Sequence, residues 1–318
     1  MSDLPDSISI TEEGPREGFQ MESVPVPTAD KIRLIDALAQ TGVPSIQACS
    51  FVSPRLVPGW ADADEVMHSL VPQTDVHYTA LWFNQRGLDR ALQFRDKLRL
   101  QGCIHVVASD AFSVSNLNRN RAENLRAMRS QTQAHIDAGL AVDKVSVMAA
   151  FGCNFSGDVA PSETLAAIDD ALQIAAEHEA QITEIALADT MGWSNPQLTR
   201  QLVGHVRNRW PEKGIRLHLH DTRGLGIANA FSAMQMGVDR FDTTVGGLGG
   251  CPFAKHEGAP GNIATEELVL LAEECGITTG IDIDALIDAG HLAEALIGRK
   301  LPSAVLRGGS LKSFRTKS

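Results

Sequence analysis

The stretch KVSVMAAFGCNFSGDVAPSETLAAIDDALQIAAEHEAQITEIALADT, Lys144 to Thr190, carries one complete turn of the pattern that decides the fold. It opens on an apolar, β-rich run, KVSVMAAF. After Pro161, Leu165, Ile168, Leu172 and Ala176 recur at steps of three and four, so they share one face of a helix, with Glu163, Asp169 and Asp170 off it. A second β-rich run, EIALADT, follows. Strand, helix, strand in this order is a β-α-β unit built on a parallel sheet.

Working outward from this unit, the same alternation runs from about residue 7 to residue 278. Further strand candidates begin near Ser7, Ser45, Val76, Cys103, Arg216 and Arg240. Eight β-α units fit a (β/α)8 TIM barrel more simply than a doubly wound sheet, which would leave two units over. The spacing predicts a catalytic barrel over 7–278. Residues 279–318, helical at first and then broken by Pro and Gly, form a C-terminal helical extension expected to pack on the barrel or cover a subunit contact.

Composition narrows the function. The chain of 318 residues is 43% hydrophobic and 21% charged, an ordinary globular balance. Its net charge of -11, with no long basic run, argues against a nucleic-acid surface. No apolar run approaches the roughly 18 residues of a membrane span. The five cysteines are scattered without a CxxC pair, which fits a reducing compartment and a cytoplasmic protein better than a disulfide framework.

In a barrel, chemistry gathers where strands end. The strand run RLHLHD puts His218 and His220 two residues apart, on the same face of one strand. They read either as half of a metal site or as core histidines. Glu17 follows the first strand beside Arg16, and Asn262 lies in the glycine-rich segment GGLGGCPFAKHEGAPGN, Gly246 to Asn262. Imidazole and oxygen donors without a thiolate suit Mg²⁺ or Mn²⁺. Gln47 and Ser50 on the second strand and Asn84 after the third are the expected substrate contacts, with Asp189 on the sixth strand.

The segments GPREGFQ, SFVSPRLVPGWADADEV, LHLHDTRGLGIANA, GGLGGCPFA and GAPGNIATEELV resemble 3-hydroxy-3-methylglutaryl-CoA lyases, from about Ile10 to Val305. The resemblance implies a divalent-metal-dependent retro-Claisen cleavage of an acyl-CoA by a homodimer. It places Arg16, Cys251 and Asp189 at catalytic positions, and Glu17, His218, His220 and Asn262 at metal positions. Cys251 would deliver a proton to the enolate carbon, against the bland reading that it merely packs. Three departures stand out. Glu17 replaces an aspartate, Gln47 replaces a glutamate, and the Cys251–Asn262 loop is about two residues longer than usual. They lead us to expect a related 3-hydroxyacyl-CoA as the preferred substrate. A Claisen-condensing synthase using acetyl-CoA and a 2-oxo acid is the alternative enzyme, and a catalytically altered metal-binding scaffold the non-enzymatic one.

Overall fold

The computed structural model describes residues 4–250 and 261–315. Eight strands form one parallel sheet: β1 (Ser9–Glu12), β2 (Ser45–Ser50), β3 (His77–Leu81), β4 (Gly102–Val107), β5 (Val142–Met148), β6 (Glu184–Asp189), β7 (Gly214–Leu219) and β8 (Arg240–Thr243). Their order is β3-β2-β1-β8-β7-β6-β5-β4, so the first and last strands in sequence pair and the sheet curls into the expected barrel. Between β3 and β4 no ladder forms among the described residues, and the seam is bridged just outside it by Arg99 N to Tyr78 O at 2.8 Å. A short antiparallel ribbon, Gly152–Cys153 with Gly157–Asp158, follows β5 and was not anticipated.

Strand alternation decides what the barrel contains. On β5, Val145 and Val147 point outward under the helices and are fully buried, while Lys144, Ser146 and Met148 face inward. On β7, Leu217 and Leu219 take the outer side, leaving Arg216 and His218 inside. The apolar core therefore lies between sheet and helices. The interior is a cavity of about 890 Å³ lined by both polar and apolar side chains. Its lower end is tied by ion pairs: Arg216 reaches Glu184 at 2.8 Å and Asp242 at 3.0 Å, and Arg240 and Lys144 reach Glu184 at 2.8 and 3.3 Å. Burial pushes the Glu184 carboxyl up, but Arg216 and Lys144 outweigh it and hold it at about 2.

Helix Pro161–Glu177 forms where the periodicity places it, with Glu163 closing its N-terminus through a 2.7 Å bond from Ala160 N. Its buried face differs from the expected stripe. Ile168 is fully buried, but it is flanked by Ala167, Ala171 and Ala175, while Leu165 and Leu172 are only partly covered. Small alanines let the helix axis approach the sheet closely, and the two leucines then pack along the flanks.

The C-terminal helix Ile283–Ile297 packs against helix Thr28–Ala39 and against the turn Val245–Gly247. It stops at Gly298, whose φ of 72° is the left-handed conformation that glycine adopts without strain. Leu301 then lies beneath Gly246, where a Cβ would stand 2.2 Å from Leu301 Cδ1.

Two buried carboxylates hold the same turn from the other side. Glu12 Oε1 accepts from Gly14 N at 2.7 Å and Val245 N at 2.9 Å, and its Oε2 accepts from Thr265 Oγ1 at 2.5 Å. Glu266 accepts from Gly246 N at 3.1 Å. Burial raises both carboxyls from 4.5 to about 7. The folded chain thus holds these protons more tightly than the unfolded one. The stability they contribute is complete below about pH 4.5 and is lost as pH rises through 7. A Glu12→Gln variant should therefore show a smaller fall in Tm than the parent between pH 5.5 and 8. Parallel Tm profiles would show that Glu12 does not titrate in that window.

Candidate metal and active site

The first half of the site comes from a single π-type turn, Gly14–Gly18, directly after β1. Pro15 starts the turn, where its missing N–H costs nothing, and Glu17 N donates to Glu13 O at 2.7 Å. Gly18 lies against Leu248, leaving no room for a side chain, since a Cβ would come within 2.8 Å of Leu248 Cβ. All five residues are buried, yet Arg16 and Glu17 reach the cavity. The Arg16 carbonyl accepts from Trp60 Nε1 at 2.8 Å. The Arg16 guanidinium donates to Gln47 on β2 and to Glu13, both in very close contact, and its Nη1 stands 2.9 Å from Glu17 Oε2. Burial pulls the guanidinium down, but Glu13 and Glu17 more than compensate, so Arg16 keeps its charge.

The second half hangs from β7. His218 and His220 turn their Nε2 atoms toward each other at 3.3 Å. Glu17 reaches both, with Oε1 at 3.4 Å from His220 Nε2 and Oε2 at 3.8 Å from His218 Nε2. Asn262 arrives because residues 261–263 run antiparallel beside the end of β7, with Ile263 N donating to Leu219 O at 3.1 Å. Its Nδ2 then lies 2.8 Å from Glu17 Oε1. The longer glutamate therefore still meets both histidines and the asparagine.

This constellation fits a divalent ion. The ligand atoms of Glu17, His218 and His220 all lie within 4.8 Å of one another, enough to share one centre. Asn262 Oδ1 is buried without a hydrogen-bond partner, an acceptor that a cation would satisfy. On its far side His218 Nδ1 lies 3.7 Å from Glu13 Oε2 and 3.7 Å from Asp242 Oδ2, so carboxylates steady the ring, as partners of metal-bound imidazoles do. Burial opposes charge on His218, but Glu17, Asp242 and Glu13 raise it to about 9. Burial likewise pushes Glu17 up, and Arg16 with the two imidazoles holds it well below the usual range. Three carboxylates, Glu13, Glu17 and Asp242, thus converge on the two imidazoles.

Of the residues singled out from the sequence, Arg16, Glu17, Gln47, His218 and His220 line the cavity, and Asn262 joins them through Glu17. Three others are engaged elsewhere. Both Asp189 oxygens accept backbone bonds, from Trp193 N at 2.7 Å and Ser194 N at 3.0 Å. Ser50 is fully buried and its Oγ accepts from Val52 N at 3.3 Å. Asn84 caps helix Gln85–Leu92, accepting from Gly87 N at 3.0 Å. One cause covers all three: short polar side chains at strand ends are captured by the nearest free amides. Cys251 lies outside the described residues, though Gly250 before it lines the cavity. Asp242 was passed over in the sequence reading. The signal was its place on β8, where parallel pairing sets it opposite His218.

Comparison with known proteins agrees with this architecture. Residues 7–293 match the family model described as HMGL-like. A hydroxymethylglutaryl-CoA lyase of Bacillus subtilis is 36% identical over 303 residues, covering 95% of this chain and 97% of the relative. An (R)-citramalyl-CoA lyase of Chloroflexus aurantiacus is 38% identical over 318 aligned positions, covering 96% and 95%. The crystal structure of a Bacillus subtilis HMG-CoA lyase superposes with a TM-score of 0.88 at 34% identity, covering 96% of this chain and 98% of that one. With the match running through every strand of the barrel and into the C-terminal helix, the chain belongs to the HMGL-like family.

Proposed function

We propose that this protein is a divalent-metal-dependent lyase that cleaves a 3-hydroxyacyl-CoA, 3-hydroxy-3-methylglutaryl-CoA or a close analogue, into acetyl-CoA and a keto acid. Its class, a carbon–carbon lyase acting on acyl-CoA, follows from the family and from relatives named as such lyases. The observation that carries the reading is the meeting of Glu17, His218, His220 and Asn262 beside the Arg16 guanidinium at one cavity. A Mg²⁺ or Mn²⁺ ion held by those four would supply the positive charge that lowers the pKa of a substrate hydroxyl.

The residues around it divide the rest of the work. Once the hydroxyl proton has passed to solvent water, its oxygen becomes the new carbonyl. The carbon–carbon bond breaks, and its electron pair passes to the α-carbon of the departing acetyl thioester. Arg16 meets the negative charge that develops on the thioester oxygen. Glu13 and Gln47 fix the guanidinium plane, so no reorientation is needed when that charge appears. Cys251 returns a proton to the enolate carbon.

The absence, among the described residues, of a helix long and apolar enough to cross a membrane agrees with a substrate met in water. The four described cysteines are free thiols, in keeping with the reducing, cytoplasmic setting proposed here. We also assign a homodimer.

A Cys251→Ser enzyme tests the proton step. Turnover should fall by about two to four powers of ten with metal content and Tm unchanged. Unchanged turnover would remove the cysteine from the mechanism. Condensation of acetyl-CoA with a 2-oxo acid, without carbon–carbon cleavage of any 3-hydroxyacyl-CoA, would favour the synthase reading.

A further inference from the structure

The geometry points to an apolar branch of the catalytic cavity that receives an alkyl chain longer than methyl on the hydroxyl-bearing carbon of the substrate. This rests on the lyase reading and names the class of thioester it prefers. Register traces the branch away from the metal site. On β6, Ala188 lies opposite His218, and its inward neighbour Ala186 lies opposite Ser146 of β5. Ser146 in turn lies opposite His105 of β4. Three consecutive inward positions thus carry the smallest side chains, and they leave space where a packed barrel would place branched ones.

The far wall of that space is large and apolar. The Phe83 and His105 rings meet edge to face at 5.1 Å, across the one seam of the barrel that has no ladder among the described residues. Met148 joins the wall from β5, packed against the cluster that contains Phe112. All of these side chains line the same cavity as Glu17 and His218. The wall residues Phe83, His105, Met148 and Phe112 offer no charge to hold a polar substituent. Burial keeps the His105 imidazole neutral, at about 3, and the Cys103 thiol protonated, at about 12. The neighbouring cations Lys144, Arg216 and Arg240 are already paired with Glu184. What such a branch recognises is apolar surface.

The test compares kcat/KM for 3-hydroxy-3-methylglutaryl-CoA with that for its 3-propyl and 3-hexyl analogues. Each methylene accommodated in the branch should raise kcat/KM about fourfold until the branch is full. Ser146→Leu, placed away from Arg16 and the metal ligands, should leave the methyl substrate within about threefold while removing the gain for longer chains. Should that variant fail to fold, Met148→Ala reads the same space, and it should extend the gain to a longer chain. A parent enzyme that prefers methyl, or a Ser146→Leu that lowers every substrate alike, would overturn the branch while leaving the lyase reading intact. Failure to cleave any of the thioesters would overturn the lyase reading, and the branch with it.

Discussion

A His220→Ala protein is expected to lose its divalent metal and its turnover together. His220 is almost fully buried, and its Nε2 lies within 3.4 Å of Glu17 and 3.3 Å of His218. Removing it takes away one of two nitrogen donors and leaves His218, Glu17 and Asn262, one ligand short of the proposed set. Loss of a group that merely orients a metal ligand typically costs about 10–100-fold in affinity, so loss of the ligand itself should cost at least the upper end of that range. Metal content per chain, measured after dialysis, should fall from near one to near zero. Glu17→Asp is the informative contrast. The resemblance to the lyases implies that aspartate serves at this position, so that variant should keep its metal, with a changed rate. Full metal content in His220→Ala would place the ion elsewhere, and the second buried cluster of Glu13, His218 and Asp242 would be the next group to examine.

Arg16→Gln should produce the second large effect, and a different one. The guanidinium touches Gln47, Glu13 and Glu17 at once, which fixes its orientation toward the cavity. Taking a positioned donor away from a developing oxyanion typically lowers kcat by about two to three powers of ten. The loss should therefore appear in kcat rather than KM, because the interaction forms in the transition state. Metal binding should persist, since none of the proposed ligands is removed. Arg16→Lys should recover little, because an ammonium cannot present a planar fork to three partners. A raised KM with unaltered kcat would make Arg16 a binding group instead.

How far the sequence could be read depended on the kind of regularity each feature had. Strands and helices repeat with fixed periods, so Val145 and Val147 on β5, or Leu217 and Leu219 on β7, announced their outward faces. The pair His218 and His220 followed from the same period of two, and both line the cavity. Features set by local hydrogen-bond competition were less legible. Asp189, Ser50 and Asn84 stand at strand ends as expected, but nothing in their spacing shows that backbone amides would claim their oxygens. Partners brought by pairing between distant strands were the hardest to see. Asp242 reaches His218 only because β8 runs parallel to β7 in one particular register. The π-type turn that aims Arg16 and Glu17 at one point likewise has no periodic signature.

The most direct test of the account uses the purified protein stripped of metal by a chelator, then supplied with Mg²⁺ or Mn²⁺, and incubated with 3-hydroxy-3-methylglutaryl-CoA and its 3-alkyl analogues. Products are identified by mass. The account predicts acetyl-CoA and the matching keto acid in equal amounts, with no cleavage before metal is restored and none from His220→Ala. Cleavage by the stripped protein at the full rate, or intact thioesters despite one bound metal per chain, would contradict it.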